Sequence, residues 1–174
     1  MTELVRSLHR RVIATLALAL AAGVLAIDVA AAGVGEPAPA FALPTATGET
    51  VALARLSGQA VYVDFWASWC APCRRSFPWM NELHRRYTGR GLVIVAVNVD
   101  RKRADAERFL AQFPAEFGVV FDPAGASPAA YAVPGMPTSY LIDRRGTIVH
   151  VEPGFADDRR AALEARIASL LADR

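Results

Sequence analysis

The sequence predicts an α/β protein, and two kinds of pattern support this prediction. Two apolar runs, residues 61–66 and 92–99, have the length and composition of β-strands, and the second suits a parallel strand covered on both faces. Elsewhere, apolar residues recur at helical spacing, which indicates helices that pack one face against a sheet. A hydrophobic content of 53% is enough for one substantial core, and 174 residues are typical of a single domain.

The first 32 residues differ from the rest of the chain. Three arginines precede an apolar run at residues 12–27, and three alanines follow it as a small-residue cleavage signature. We expect residues 1–32 to be a signal peptide, and residues 33–174 to form a periplasmic domain. An uncleaved membrane anchor is the alternative. No cysteine lies directly after the apolar run, so a lipoprotein is not expected.

The exported domain is expected to open with a β-hairpin. Prolines near its start oppose a helix, and residues 47–49 have the composition of a turn. Apolar residues alternate on the two sides of this turn: Phe41, Leu43, Val51, Leu53 and Leu56. This alternation is typical of strands with one buried face.

Three helices are expected in the remainder. The first follows the strand at 61–66 and runs to Tyr87, with Pro78 inside it. The second carries an apolar stripe and ends at Pro114. The last is amphipathic. The stripes of the second and last helices comprise Ala106, Phe109, Leu110 and Phe113, and Leu163, Ile167, Leu170 and Leu171.

Shorter elements fill the space between these helices. Residues 119–121 are expected to form a strand and residues 128–132 a helical turn. Residues 138–142 and 147–151 are expected to pair as a hairpin, with Gly146 in the turn because its backbone tolerates a positive φ.

The only cysteines, Cys70 and Cys73, form a C-x-x-C motif at a predicted strand-to-helix junction. Such a pair can close a small disulfide ring and reopen it. Unpaired N–H groups and the helix dipole favour a thiolate at the first cysteine. We therefore expect Cys70 to attack and Cys73, one turn further in, to resolve. Pro72 lacks an N–H where a helix start has no partner for one.

Composition argues against two other classes of function. The 19 basic residues are offset by 17 acidic ones and do not cluster into a stripe, so nucleic-acid binding is not expected. Two cysteines and two scattered histidines in the predicted domain offer no complete ligand set for zinc or an iron–sulfur cluster. We expect no metal, and no cofactor other than the redox-active disulfide.

Three stretches together resemble the thioredoxin superfamily, and most of all the TlpA/ResA-type thiol-disulfide oxidoreductases of the bacterial cell envelope. They are VDFWASWCAPC at residues 63–73, Pro78, and GMPTSYLID at residues 135–143, and the similarity covers about residues 36–171. The resemblance implies a thioredoxin-like fold, with a central mixed β-sheet flanked by helices, an N-terminal β-hairpin extension and an inserted helix. It also implies a monomeric enzyme that exchanges disulfides with client proteins.

Asp64 lies within an apolar strand, where burial should raise the pKa of its carboxyl group. In proteins of the resembling family an acid at this offset lies beneath the disulfide and relays protons to the second cysteine, and we expect the same of Asp64. A carboxylate satisfied by local hydrogen bonds is the alternative. A buried acid disfavours further negative charge nearby, so we expect reduction of client disulfides, with electrons from a membrane-bound donor.

The resemblance assigns the second half of the site to Pro137. Met136-Pro137 matches a cis-proline loop that packs against the cysteines and leaves the backbone of Met136 free to pair with a client strand. The residues expected to contact clients flank the two motifs: Trp69, Ala71, Pro72, Met136 and Thr138. Trp66, in contrast, is expected in the core.

The chain departs from the ResA pattern at Ser76, where ResA-like members often have Glu. This favours a proton relay of the thioredoxin kind and weakens any transfer of a role in cytochrome c maturation. Two alternatives stay open: a redox-inert module that holds a peptide or a haem-assembly partner beside Pro137, and a peroxiredoxin-like peroxidase. The peroxidase pattern P-x-x-x-T-x-x-C, however, finds Val63 and Ala67 at its first two fixed positions.

Overall fold

The computed structural model describes residues 32–172, which form a five-stranded sheet, a separate two-stranded sheet and four α-helices. The strands are β1 (Ala42–Pro44), β2 (Thr50–Ala52), β3 (Ala60–Trp66), β4 (Leu92–Asn98), β5 (Gly118–Phe121), β6 (Thr138–Ile142) and β7 (Ile148–Pro153). The helices are α1 (Cys73–Tyr87), α2 (Arg103–Gln112), α3 (Ala126–Ala130) and α4 (Arg160–Ala172). The expected leader lies outside the described residues, apart from its last position.

The five-stranded sheet has the order β5-β4-β3-β6-β7, and it confirms the prediction of a mixed sheet. β3 pairs in parallel with β4 and antiparallel with β6. β4 was expected to be central; it is interior, but β3 occupies the centre and is buried along its whole length. A strand with neighbours on both sides and cover on both faces explains the apolar composition of residues 61–66.

Side chains alternate along β3 and divide the core into two clusters. Tyr62 and Trp66 face helix α1, while Val61, Val63 and Phe65 face the other side of the sheet. By the same alternation, Asp64 lies on the α1 face. The candidate acid therefore shares a layer with the helix that follows the two cysteines.

Aromatic rings hold the inserted helix α2 to the α1 face. The ring centroid of Phe109 lies 4.8 Å from that of Trp66 and 5.0 Å from that of Phe77. Trp66 is fully buried, as expected. These contacts link the end of β3, the second turn of α1 and the inserted helix in one cluster.

The N-terminal extension covers the opposite face of the sheet. β1 and β2 form the expected antiparallel hairpin, and Phe41 packs near Tyr131 with ring centroids 6.5 Å apart. The expected strand positions of Leu53 and Leu56 are wrong, because both lie in a 3₁₀ helix, Leu53–Leu56. Their spacing of three residues places them on the same side of a 3₁₀ turn, from which both pack against the core.

Among residues 32–172, no helix combines the length and apolar character that a membrane crossing requires.

Replacing Phe109 with Ala should lower the free energy of unfolding by about 3–5 kcal/mol, since it removes a buried ring from the aromatic cluster. Urea unfolding monitored by circular dichroism measures this change. Phe113→Ala is the matched control, because Phe113 stacks on Phe109 at 4.9 Å but is only partly buried. Equal losses in the two variants would show that α2 is not held by Phe109.

Candidate active site

Cys70 and Cys73 form a disulfide at the junction of β3 and α1, with their Cα atoms 5.4 Å apart. α1 begins at Cys73, and Pro72 is its N-cap residue with a φ of −63°, so Cys70 precedes the helix by three residues. The backbone N–H of Cys73 nevertheless donates to Cys70 Sγ at 3.2 Å. The first turn of the helix thus directs a donor at the sulfur of the first cysteine.

The first turn of α1 has a favourable charge for a thiolate. It contains no acidic residue, and Arg74 and Arg75 are exposed there. Negative charge near a helix N-terminus is stabilised by the dipole and by unpaired N–H groups. Both features are typical of helix starts that carry a reactive cysteine.

Exposure around the disulfide is concentrated in the residues that flank it. Cys70 and Cys73 are 2% and 0% exposed, whereas Trp69 is 68% exposed and Ala71 is also exposed. Single exposed apolar side chains are common on protein surfaces, but Trp is enriched where proteins bind one another. A large exposed apolar side chain thus lies beside a shielded disulfide.

A buried carboxylate, Asp100, fixes the loop between β3 and Cys70. Asp100 accepts from the backbone N–H of Ser68 at 2.9 Å and from its hydroxyl at 2.9 Å. It also accepts from the side-chain amide of Asn98 at 2.8 Å. β3 and β4 are parallel, so their carboxyl ends meet at one edge of the sheet, and Asp100 can hold the loop that carries Trp69.

Sequence reasoning missed Asp100 and Asn98. A signal was present, because both residues come at the end of an apolar strand, at the same predicted edge as the cysteine loop. Polar residues at the carboxyl ends of parallel strands are frequent members of functional sites.

The loop before β6 supplies the second half of the site. The Met136-Pro137 peptide bond is cis, as expected from the resemblance. Met136 is partly buried and packs against the core cluster that contains Cys70 and Cys73. The carbonyl of Pro137 accepts from the backbone N–H of Gly154 at 2.7 Å, which ties the loop to the end of β7.

Thr138 differs from the other expected client-contacting residues. Its side chain is 1% exposed, and its hydroxyl donates to the carbonyl of Gly135 at 2.7 Å. The side chain therefore closes the loop rather than facing a client. Trp69, Ala71, Pro72 and Met136 all retain at least partial exposure.

Asp64 is 1% exposed in the middle of β3, and burial raises the pKa of its carboxyl group to about 8. A hydrogen bond from Ser139 opposes this effect but does not cancel it. The carboxyl oxygen Oδ2 has no hydrogen-bond partner among the described residues. The expected direction of the pKa change is confirmed.

Ser76 occupies the position where a Glu was noted in ResA-like proteins. It is 2% exposed, and its hydroxyl donates to the carbonyl of Cys73 at 3.2 Å. It has no ionisable group, so it offers no carboxyl group for a proton relay. Among residues 32–172, no cluster of three or more His, Cys, Asp or Glu side chains has the arrangement of a metal site.

Fold and site together define a thioredoxin-like thiol-disulfide oxidoreductase: a C-x-x-C disulfide at a helix start, a buried acid in the central strand and a cis-proline loop. Residues 34–151 match the AhpC/TSA family. The chain belongs to this family, within which its relatives are ResA-like thiol-disulfide oxidoreductases.

Two curated relatives illustrate the similarity. Thiol-disulfide oxidoreductase ResA of Geobacillus thermodenitrificans is 37% identical over 124 residues, which is 71% of each chain. ResA of Bacillus subtilis is 35% identical over 120 residues, covering 69% of this chain and 67% of that protein. The chain is a thiol-disulfide oxidoreductase, and its redox group is the disulfide.

Two solved structures are similar to this chain over most of its length. A Chlorobium tepidum protein described as a thiol:disulfide interchange protein DsbE is 52% identical, with a TM-score of 0.78, over 80% of this chain and 98% of that one. The thioredoxin domain of a Bacteroides vulgatus thiol-disulfide oxidoreductase is 27% identical, with a TM-score of 0.70, over 78% and 98%. These similarities confirm the thioredoxin-like fold.

The raised pKa of Asp64 predicts a specific pH dependence of stability. In the unfolded chain the carboxyl group has a pKa near 4, and in the folded chain its pKa is about 8. The folded state therefore binds the proton more tightly. The stabilisation that comes from this tighter proton binding is fully present below pH 4 and is lost as the pH rises to 8. It amounts to at most about 5 kcal/mol.

Urea unfolding of the oxidised protein from pH 3 to 9 measures this dependence. Asp64→Asn should flatten the decline between pH 4 and 8. Asp122→Asn is the control, because hydrogen bonds from Ser127 and its neighbours lower the pKa of Asp122 although the residue is buried. That variant should differ from wild type in its pH dependence only below about pH 4. An unchanged decline in Asp64→Asn would contradict the assignment.

Proposed function

We infer that this oxidoreductase reduces disulfides of client proteins in the cell envelope, with Cys70 as the attacking and Cys73 as the resolving cysteine. The observation that carries the role assignment is the hydrogen bond from the Cys73 N–H to Cys70 Sγ. The same donor stabilises a Cys70 thiolate once the disulfide is reduced. No equivalent backbone donor is directed at Cys73 Sγ among the described residues.

The first step is attack on a client disulfide. The Cys70 thiolate attacks one sulfur of the client, forms the mixed disulfide, and releases the other client sulfur as a thiolate that takes a proton from water. Trp69, Ala71, Pro72 and the Met136 backbone supply the contact surface. An extended client segment can add to the Met136 backbone as a β-strand, and its apolar side chains can pack on Trp69.

The second step is resolution, and here Asp64 acts as the base. The Asp64 carboxylate accepts the proton of the Cys73 thiol, and the Cys73 thiolate attacks the sulfur of Cys70. The Cys70–Cys73 disulfide forms and the second client thiolate leaves, so two electrons have passed to the client. A base with a pKa of about 8 is strong enough to accept a proton in the neutral pH range.

The buried acid also supports the direction of electron flow. An oxidising enzyme of this kind needs a strongly stabilised reduced form, with a very acidic attacking thiol. A carboxyl group in the layer beneath the cysteines disfavours a further negative charge when it is ionised, and this destabilises the reduced pair. Destabilising the reduced pair makes it the better reductant.

The proposed location rests on the N-terminal composition and on the relatives. Residues 1–32 have the pattern of a signal peptide or an anchor, with basic residues, an apolar run and small residues in that order. Because bacterial envelopes are kept oxidising, a reductant there needs a continuous electron supply. A membrane-bound donor that reduces the Cys70–Cys73 disulfide meets this need.

Trapping with a client tests the cysteine roles. Cys73→Ser should accumulate a mixed disulfide through Cys70, whereas Cys70→Ser should accumulate none or much less. In the presence of dithiothreitol, the wild-type domain should accelerate the reduction of insulin, measured as the rise in turbidity relative to dithiothreitol alone. Neither variant should do so. Absence of acceleration by the wild-type domain would favour a redox-inert binding module, and preferential trapping through Cys73 would reverse the roles.

Equilibration in glutathione buffers tests the direction. The midpoint potential of the purified domain should lie nearer the thioredoxin value of about −270 mV than the value of about −120 mV found for strongly oxidising enzymes. Asp64→Asn should slow resolution of a preformed mixed disulfide at neutral pH. A midpoint near −120 mV would overturn the reductant role, and unaltered resolution in Asp64→Asn would remove the relay from Asp64.

A further inference from the structure

Asp64 has different neighbours on its two sides within the sheet. In the strand register, Ala96 of β4 is opposite Asp64 on one side and Ser139 of β6 on the other. A methyl group offers no hydrogen bond, so the sheet supplies a polar partner from one side only. The hydroxyl of Ser139 hydrogen-bonds the Asp64 carboxyl group, while Oδ2 has no partner among the described residues.

A second hydroxyl, that of Tyr62, also hydrogen-bonds Ser139. The phenol of Tyr62, two residues before Asp64 and on the same face of β3, donates to Ser139 Oγ at 2.6 Å. A serine hydroxyl has a single proton to donate. Because Tyr62 is the donor in its bond to Ser139, the proton of Ser139 is free for another acceptor, and an ionised Asp64 carboxylate can only accept it. The three groups form one directed chain, from Tyr62 to Ser139 to Asp64.

We propose that Ser139 is a positioning residue for Asp64: it accepts from Tyr62, donates its own proton to one oxygen of the ionised carboxyl group, and leaves Oδ2 as the atom that exchanges a proton with Cys73. The role in proton exchange rests on the proposed relay. Ser139 itself takes no part in bond making. It fixes the carboxyl group within the strand register and supplies the one donor that favours its ionised form.

One further charged group, Glu152, lies near this chain, where its charge adds to the rise in the pKa of Tyr62, and it is paired with other residues. Glu152 of β7 is opposite Ser139 in the register. Its carboxylate contacts His150 Nε2 at 3.1 Å and Arg159 Nε at 2.9 Å. β4 contributes Ala96 at this position. The two cysteines, Cys70 before α1 and Cys73 at its first residue, are joined in the disulfide.

The burial of the chain explains why its direction is stable. Tyr62, Asp64 and Ser139 are 2%, 1% and 3% exposed, so bulk water does not compete for these hydrogen bonds. Burial and the nearby carboxyl group of Asp64 raise the pKa of Tyr62 well above its ordinary value, which keeps the phenol protonated and a donor. The Tyr62 proton is thus available to Ser139 throughout the working pH range.

The test measures the ionisation of Asp64 in the oxidised protein by carboxyl ¹³C NMR, and the resolution of a preformed mixed disulfide against pH. Ser139→Ala should raise the pKa of Asp64 by about one, since the ionised form loses its donor. The pH profile of resolution should move upward by the same amount, so the rate at pH 7 should fall about tenfold. Tyr62→Phe should shift the pKa of Asp64 and the pH profile of resolution in the same direction, but by a smaller amount.

Two controls separate positioning from a structural effect. Ser139→Thr retains the hydroxyl and should restore both the Asp64 pKa and the pH profile. Ser127→Ala removes a comparable buried bond, from Ser127 Oγ to Asp122 Oδ2 at 2.6 Å, away from the cysteines, and should leave both readouts unchanged. An Asp64 pKa that does not move in Ser139→Ala, or that Ser139→Thr does not restore, would overturn the inference.

The two proposals can fail separately. If Asp64→Asn resolves mixed disulfides at the wild-type rate while Ser139→Ala still raises the pKa of Asp64, the relay falls and Ser139 still positions Asp64. If Asp64→Asn is slow but Ser139→Ala changes neither the pKa nor the pH profile, the relay stands and the role of Ser139 is wrong.

Discussion

The structure is constrained above all by one carboxyl group buried in the centre of its sheet. Asp64 lies in the central strand, 1% exposed, where an ionised carboxylate without a full set of partners is costly. The residues around it therefore determine both its charge and its use. Ala96 and Ser139 in the adjacent strands give it one donor, and the disulfide of the following helix lies on the same face. The free energy of placing an acid there is acceptable because the acid is largely protonated near neutral pH.

The strand register also explains how distant parts of the chain meet at the disulfide. Phe65, near the end of β3, pairs with Thr138 at the start of β6. Because the two strands are antiparallel, the residue before β6 is placed beside the residue after β3. Pro137 and the cysteine loop thus come together although 64 residues separate Pro137 from Cys73. Asp100 fixes the same loop from the end of β4, so three strands of the sheet determine its position.

Much of the fold could be predicted from the sequence, because it depends on local patterns. The apolar run of β4 has the length and composition of a buried strand, the stripe of α2 has a helical period, and β6 was expected at the residues where it lies. Leu53 and Leu56 were misassigned because an apolar residue at every third position was interpreted as a continued strand. The central position of β3 depends on pairing between remote segments, which periodicity does not contain.

The candidate site likewise contains some residues that could be predicted from the sequence and others that could not. Cys70, Cys73, Asp64 and Pro137 belong to motifs and could be named from the sequence, and the pKa of Asp64 was expected to be raised because an apolar strand implies burial. Ser139 could not be found, since a serine within an apolar strand gains meaning only when β6 is placed beside β3. Tyr62 has the same limitation: its phenol acquires a role through a hydroxyl 77 residues away in sequence.

The charge of the group that hydrogen-bonds Asp64 is as important as the hydrogen bond itself. A buried cation beside the carboxyl group would favour ionisation strongly and lower its pKa far below that of a thiol. A neutral hydroxyl favours ionisation only weakly, so burial remains the larger effect and the pKa is about 8. An acid and a thiol with similar pKa values exchange a proton at little cost in free energy in either direction. In the proposed relay, reduction of a client and regeneration of the cysteines move a proton between Asp64 and Cys73 in opposite directions, so an acid with a pKa of about 8 suits both halves of the cycle.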